Sequence, residues 1–240
     1  MHAQPPVHAP LGARRSDFHV GCVDALPVCF TFMFLFFSIG AASSGAGFSG
    51  VQAALTTLTV HAAPLQVFIA QHGAGLGLWS LLLATLIINF RFLIMSSVLA
   101  EGFRHVPLHK ALLTAPLLSV STFTLANAKK GQVADLHHYY LGCGLVSLGS
   151  ALLATVLGVW ASSGGGAWSS GLIGMILPIH FTALAALSWP QSKPLLITAL
   201  GFAATPVAGH YLAEYQIFVM PFVFGAVFLA ADKFKERRSA

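Results

Sequence analysis

Eight apolar segments recur along the chain, at about 19–42, 49–71, 76–98, 108–127, 137–161, 170–189, 194–210 and 214–231. Each is close to the roughly 20 residues an α-helix needs to cross a bilayer. The runs are continuous, so they predict helices and not the ten-residue alternation of a membrane β-barrel. Uncharged stretches, "GAASSGAGFSG" and "ASSGGGAWSSG", part segment 1 from 2 and segment 5 from 6. Small-residue spacings in segments 1 and 5 fit close helix packing.

Composition sharpens this picture. Apolar residues make up 56% and charged residues 8% of the 240, where a soluble domain carries about 25% charged. Mean hydropathy is +0.79. The expected fold class is all-α: a polytopic helical membrane protein of about 7–8 transmembrane segments, one domain over residues 19–231. Residues 1–18 read as a disordered tail and 232–240 as a basic tail.

The net charge of +5 gathers towards the ends, at Arg14 and Arg15 and again at Lys233, Lys235, Arg237 and Arg238. Basic ends read as cytoplasmic, so both termini are expected inside a plasma (inner) membrane. Eight crossings also place Lys129, Lys130 and Lys193 inside. One loop disagrees, because Arg104 and Lys110 then fall outside. A re-entrant segment 2 or 7 would change that count.

One phrase is written twice. "LPVCFT" (26–31) and "LPIHFT" (177–182) share a proline, Pro27 and Pro178. Each is followed one segment later by a similar phrase, "AAP" ending at Pro64 and "ATP" ending at Pro206. Segments 1 and 6 run in opposite directions, so the order suggests an inverted repeat of proline-broken helices. A proline frees backbone groups that need a polar partner inside a membrane. Prolines that merely kink membrane helices would read the same way.

Few polar groups lie inside the runs, and each is a functional candidate. Arg91 stands in "LIINFRFLIM" with Asn89 beside it. It would bind a substrate carboxylate, or form a structural pair with Asp24 or Glu214. Gln66 follows Pro64 and offers both donor and acceptor. Asp24, His61, His180 and His210 are possible proton-coupling groups, though Asp24 could equally be a solvated carboxylate at a helix end. Phe30 and Phe181 would receive an aliphatic substrate side chain.

Other chemistries find no support in the pattern. The three cysteines fit no metal spacing. There is no HExxH, GxSxG or phosphate loop, so no metal, cofactor or enzymatic activity is expected. A passive channel would need a more continuous polar lining. A non-transporting membrane subunit stays open.

"GCVDALP" (Gly21, Asp24, Pro27), "AAPLQ" (62–66) and "NFRF" (Asn89, Arg91) follow one another along the chain, with "RHVPLHKALLTAPLL" after them. In kind and order these motifs resemble the AzlC/YgaZ family, the large subunits of two-component branched-chain amino acid exporters. The similarity covers about residues 20–190. It departs from the family at "SVSTF", where Val120 and Ser121 occupy the place of an acidic pair. The resemblance implies export of branched-chain or similar neutral amino acids by alternating access. It also implies a small AzlD-type hydrophobic partner subunit and no nucleic acid. Gln66, Asn89 and Arg91 would line the site, between helices broken at Pro27 and Pro178.

Overall fold

The computed structural model describes residues 11–72, 75, 77–163 and 192–212, with the short pieces 219–220, 223–227 and 230. Every regular element among them is helical. The chain divides into two compact units, Met1–Leu177 and Pro178–Ala240.

The first unit is built on two parallel rods. One is α1 (Leu11–Asp24) continued by α2 (Leu26–Gly45); the other is α8 (Leu136–Ser163). Gly21 abuts Tyr139 and Cys143, and Gly142 abuts Phe18 and Cys22. Further along, Gly40 abuts Thr155, and Gly158 abuts Phe37 and Ala41. The partners advance together, so the rods run in the same direction. Missing Cβ atoms let their backbones touch, which is the packing that small residues permit in membranes. Phe32, Leu35, Phe36 and Ile39 close the core against Ala151 and Ala154.

The helix α5 (Leu78–Ala100) runs the other way. It ends where α8 begins: Gly102 meets Leu136, and the Phe103 ring lies 5.3 Å from both His137 and Tyr140. At 1.5 Å per residue it is about 34 Å long, so it starts at the opposite end of the unit. Among the described residues, α2, α5 and α8 are the helices long and apolar enough to cross a bilayer.

Segment 2, read as a span or a re-entrant segment, and segment 4, read as a span, are each broken in two. Segment 2 forms α3 (Gly50–Val60) and α4 (Ala63–His72). A capping box of Ser49 and Gln52 starts α3, beside Val159 near the far end of α8. The chain leaves α3 at His61, whose φ of 39° is left-handed. Pro64 stands in the first turn of α4, where its missing N–H costs no helical bond. The connection from His72 to Leu78 reaches about 20 Å at most, so α4 must end near the start of α5. Consequently α3 and α4 enter and leave at the same end.

Segment 4 repeats the device from the other end. It forms α6 (Leu108–Thr114), a 3-10 turn (Ala115–Leu117) and α7 (Val120–Lys129). The Thr114 carbonyl accepts from the Tyr140 hydroxyl at 3.1 Å, and Leu117 reaches Gly144 deeper in. Ser119 and Thr122 then form a second capping box. By its last turn α7 is back beside the start of α8, where Lys129 meets Asp24 at 3.1 Å. The limbs are about 10–17 Å long, well short of a bilayer core of about 30 Å. Hydropathy registers length and apolarity but not the reversal, which is why both hairpins read as spans.

The reversals remove the charge anomaly. Arg104, Lys110, Lys129 and Lys130 all gather at one end, where Lys130 pairs with Glu101. The expected exposure of Arg104 and Lys110 on the opposite side is therefore wrong.

Residues 11–18 are also helical, not a loose tail. Asp17 is buried and its Oδ2 accepts the Asp135 N–H at 2.7 Å. Asp135 in turn accepts from the N–H groups of His137 and His138, capping α8. In the second unit, α9 (Ser192–Leu212) runs straight through Pro206. The "ATP" phrase does not break its helix, in contrast to Pro64. The Thr205 hydroxyl also donates to the Gly201 carbonyl at 2.7 Å.

Candidate functional site

The two hairpin tips meet inside the first unit. α3 packs against the 3-10 turn, and the Pro116 carbonyl faces the His61 ring. That carbonyl does not reach hydrogen-bond geometry with either ring nitrogen. Above the tip, Thr57 is fully buried and joins two elements. Its hydroxyl donates to Gln66 Oε1 at 3.0 Å and lies 3.0 Å from the Thr155 hydroxyl. Thr155 returns a bond to the Ala151 carbonyl at 2.9 Å. The result is a small, uncharged polar site clamped between α3, α4 and α8.

This site is incompletely satisfied. Both nitrogens of His61 and the Nε2 of Gln66 are buried without a hydrogen-bond partner. Those two residues are only 2% and 3% exposed. Each such group costs about 1–3 kcal/mol when left unpaired, so the site is suited to a visiting polar molecule. Apolar walls adjoin it: the Phe32 and Phe36 rings lie 5.7 and 5.8 Å from the His61 ring. The first turn of α4 and the last turn of α3 bring free N–H and carbonyl groups to the tip.

Gln66 and His61 thus both stand at this hairpin tip, within six residues of each other. Asn89 and Arg91 stand on α5, with Asn89 Oδ1 and Arg91 Nε buried and unpartnered. Arg91 lies about 14 Å along α5 from its C-terminal end, and its guanidinium covers the Phe92 ring at 5.1 Å. It makes no ion pair among the described residues; Asp24 is engaged elsewhere, with Lys129 and with the Tyr139 hydroxyl at 2.9 Å.

The other candidate residues lie away from this cluster or outside the described residues. Phe30 is 68% exposed and stacks edge-on with Phe34 at 5.1 Å on the outer face of α2. The inward phenylalanines are Phe32 and Phe36, two residues out of register with that pair. Pro27 sits in the first turn of α2, and bonds from Ala25 N–H to Gly21 and from Cys29 N–H to Ala25 keep the chain helical across the joint. It opens no gap comparable to His61–Ala62. His210 is exposed on α9, edge-on to Tyr211 at 5.1 Å. Pro178, His180 and Phe181 lie outside the described residues. Val120 and Ser121 form the first turn of α7, so the positive end of that helix has no acidic residue in its first turn. Sequence reasoning missed Thr57 and Thr155. Thr57 lies one helical turn before His61, a spacing that places both on one face.

A bundle of bilayer-length helices, entered from both ends by short hairpins that meet at buried polar groups, defines a multi-pass helical membrane protein. The chain belongs to the AzlC family, whose profile, described as AzlC protein, matches residues 27–164. It is similar to the inner membrane protein YgaZ of Escherichia coli (strain K12), at 25% identity over 206 residues and 83% of each chain. No solved structure matches it. Family membership supports a role in membrane transport.

Proposed function

We propose that this chain is the large subunit of a two-component exporter of branched-chain or similar neutral amino acids. The observation that carries the reading is the uncharged, unsatisfied polar site at the meeting of the two hairpins, walled by phenylalanines. A zwitterion with an aliphatic side chain matches each part. Its carboxylate suits the N-terminal turn of α4, and Gln66 Nε2 supplies a donor. Its ammonium suits the carbonyls at the end of α3. Its side chain suits Phe32 and Phe36. Arg91 and Asn89 serve as a further polar station on the path along α5.

In this reading the basic end of the first unit is cytoplasmic. Both termini are then inside the inner membrane. The small AzlD-type subunit covers α5, whose Trp79, Leu83 and Leu86 are exposed.

Leucine efflux from preloaded cells tests the reading, with the chain made alone and together with the small subunit. Faster, saturable efflux that requires both supports it, and loss of that efflux in Gln66→Ala locates the site. No efflux in either case, with both chains present in the membrane, overturns it. Efflux linear in leucine concentration would instead mark a pore.

A further inference from the structure

His61 stands out in the transport reading, on which the following rests. It is a non-glycine residue with a left-handed φ of 39°, at a position where glycine usually ends a helix. Such strain costs about 1–3 kcal/mol and persists only where the surroundings enforce it. The side chain adds a second cost, because both ring nitrogens are buried and unpartnered. An ordinary structural histidine would donate from one nitrogen and accept at the other.

The surroundings are one-sided. From α2 the ring meets Phe32 and Phe36. From α3 and α4 the nearby polar groups are Thr57 and Gln66, and from α8 Thr155. From the second hairpin it is faced by the Pro116 carbonyl. None of these groups is charged or titratable. In the 3-10 turn, the Ala115 carbonyl accepts from the Leu118 N–H and the Leu117 carbonyl from the Thr122 hydroxyl. The Pro116 carbonyl is the acceptor that this turn presents to the His61 ring.

We propose that His61 carries the coupling proton of the transport cycle and that its protonation joins the two hairpin tips. A proton from water on the open side binds one ring nitrogen, giving a cation with two N–H donors. One donor bonds the Pro116 carbonyl, drawing the α3–α4 tip onto the 3-10 turn. Release of the proton to water on the other side restores a neutral ring with a single N–H, which turns a charge-assisted bond into a weaker neutral one and loosens the tips. Transport of a neutral amino acid thereby becomes coupled to proton movement without any membrane-embedded acid.

The test uses the full chain with the small subunit, reconstituted in vesicles containing a pH-sensitive dye. Two signals are read: leucine counterflow, which needs only substrate binding and access, and leucine-driven pH change. His61→Gln keeps a neutral polar side chain. His61→Gly suits the left-handed backbone and so remains foldable. The proposal expects both signals in the unmodified protein and, in the variants, counterflow that is weakened by the altered site but carries no pH change for each leucine moved. A leucine-driven pH change that survives in either variant overturns it. Counterflow without any pH change in the unmodified protein overturns it too and leaves the transport reading standing. Loss of counterflow in both variants, with thermal stability kept, would make His61 a substrate ligand and also refute it. Absence of counterflow in the unmodified protein removes the transport reading and this proposal together.

Discussion

Replacing Gly158 with alanine tests the parallel packing that positions the site. A Cβ at this position would stand 2.1 Å from the Phe37 carbonyl oxygen, 2.9 Å from its carbon and 3.0 Å from the Ala41 nitrogen. All three are backbone atoms of α2, so no side chain can turn aside. To restore an ordinary contact the rods must separate by about 1 Å, and overpacking of this kind costs about 1–3 kcal/mol. Against that, alanine improves helix propensity by about 1 kcal/mol over glycine. The upper half of the overpacking range applies because the clash is backbone against backbone. The net expectation is a loss of about 1–2 kcal/mol, or roughly 2–8 °C in Tm for a chain of this size. Gly149 is the control: it lies in the same helix, and its added Cβ would meet nothing within 4 Å. Gly149→Ala should leave Tm unchanged or raise it. Thermal unfolding of the detergent-purified protein reads both. A Gly158→Ala protein as stable as Gly149→Ala would refute the close approach of α2 and α8. Because Thr155 is one turn from Gly158, the same separation should also weaken leucine transport.

Thr57→Val removes the donor to Gln66 and the contact with Thr155 at once, leaving buried oxygens unpaired; Tm should fall by an amount equivalent to about 1–3 kcal/mol. Arg91→Ala should abolish leucine efflux while the protein remains in the membrane, and Arg91→Lys should restore little of it if the planar guanidinium is what binds; full efflux in Arg91→Ala would remove Arg91 from the path. Phe32→Ala should reduce leucine transport, whereas Phe30→Ala, on the outer face of α2, should not. Burial alone would raise the Asp135 carboxyl pKa, but the His138 N–H, the His138 ring and the charge on His105 hold it below its ordinary value. Its stabilisation is therefore complete above about pH 4 and lost as pH falls through the depressed value. The Tm difference between the unmodified protein and Asp135→Asn should close as pH falls below that value.

The sequence is explicit about the parts governed by length and polarity. Segments 3, 5 and 7 match α5, α8 and α9 within a few residues, because an uninterrupted apolar run has little choice inside a membrane. Gln66 and His61 were legible because a proline beside buried polar residues marks a place where backbone groups come free. A re-entrant segment 2 was left open by the charge pattern, and the hairpin in segment 4 was not legible. A run from Gly50 to His72 has the same hydropathy whether it crosses or turns back, and the turn depends on one left-handed residue, His61. The misplaced charge of Arg104 and Lys110 was the trace of that reversal. It required two re-entrant segments, 2 and 4, rather than a change in one. Phe30 was chosen by its nearness to Pro27, whereas the face that α2 buries is set by contact with α8 and α4. Thr155 enters the site only because α8 lies parallel to α2, a long-range relation with no local sign.

The opposed hairpins are tested most directly by the sidedness of three single cysteines in an otherwise cysteine-free chain, at positions 48, 104 and 130. A membrane-impermeant thiol reagent is applied to intact cells and then to inverted vesicles. The account predicts that 104 and 130 react from the same side and 48 from the other. If 104 reacts with 48 and not with 130, then segments 2 and 4 cross the membrane, the hairpin tips do not meet, and the site built on them does not exist.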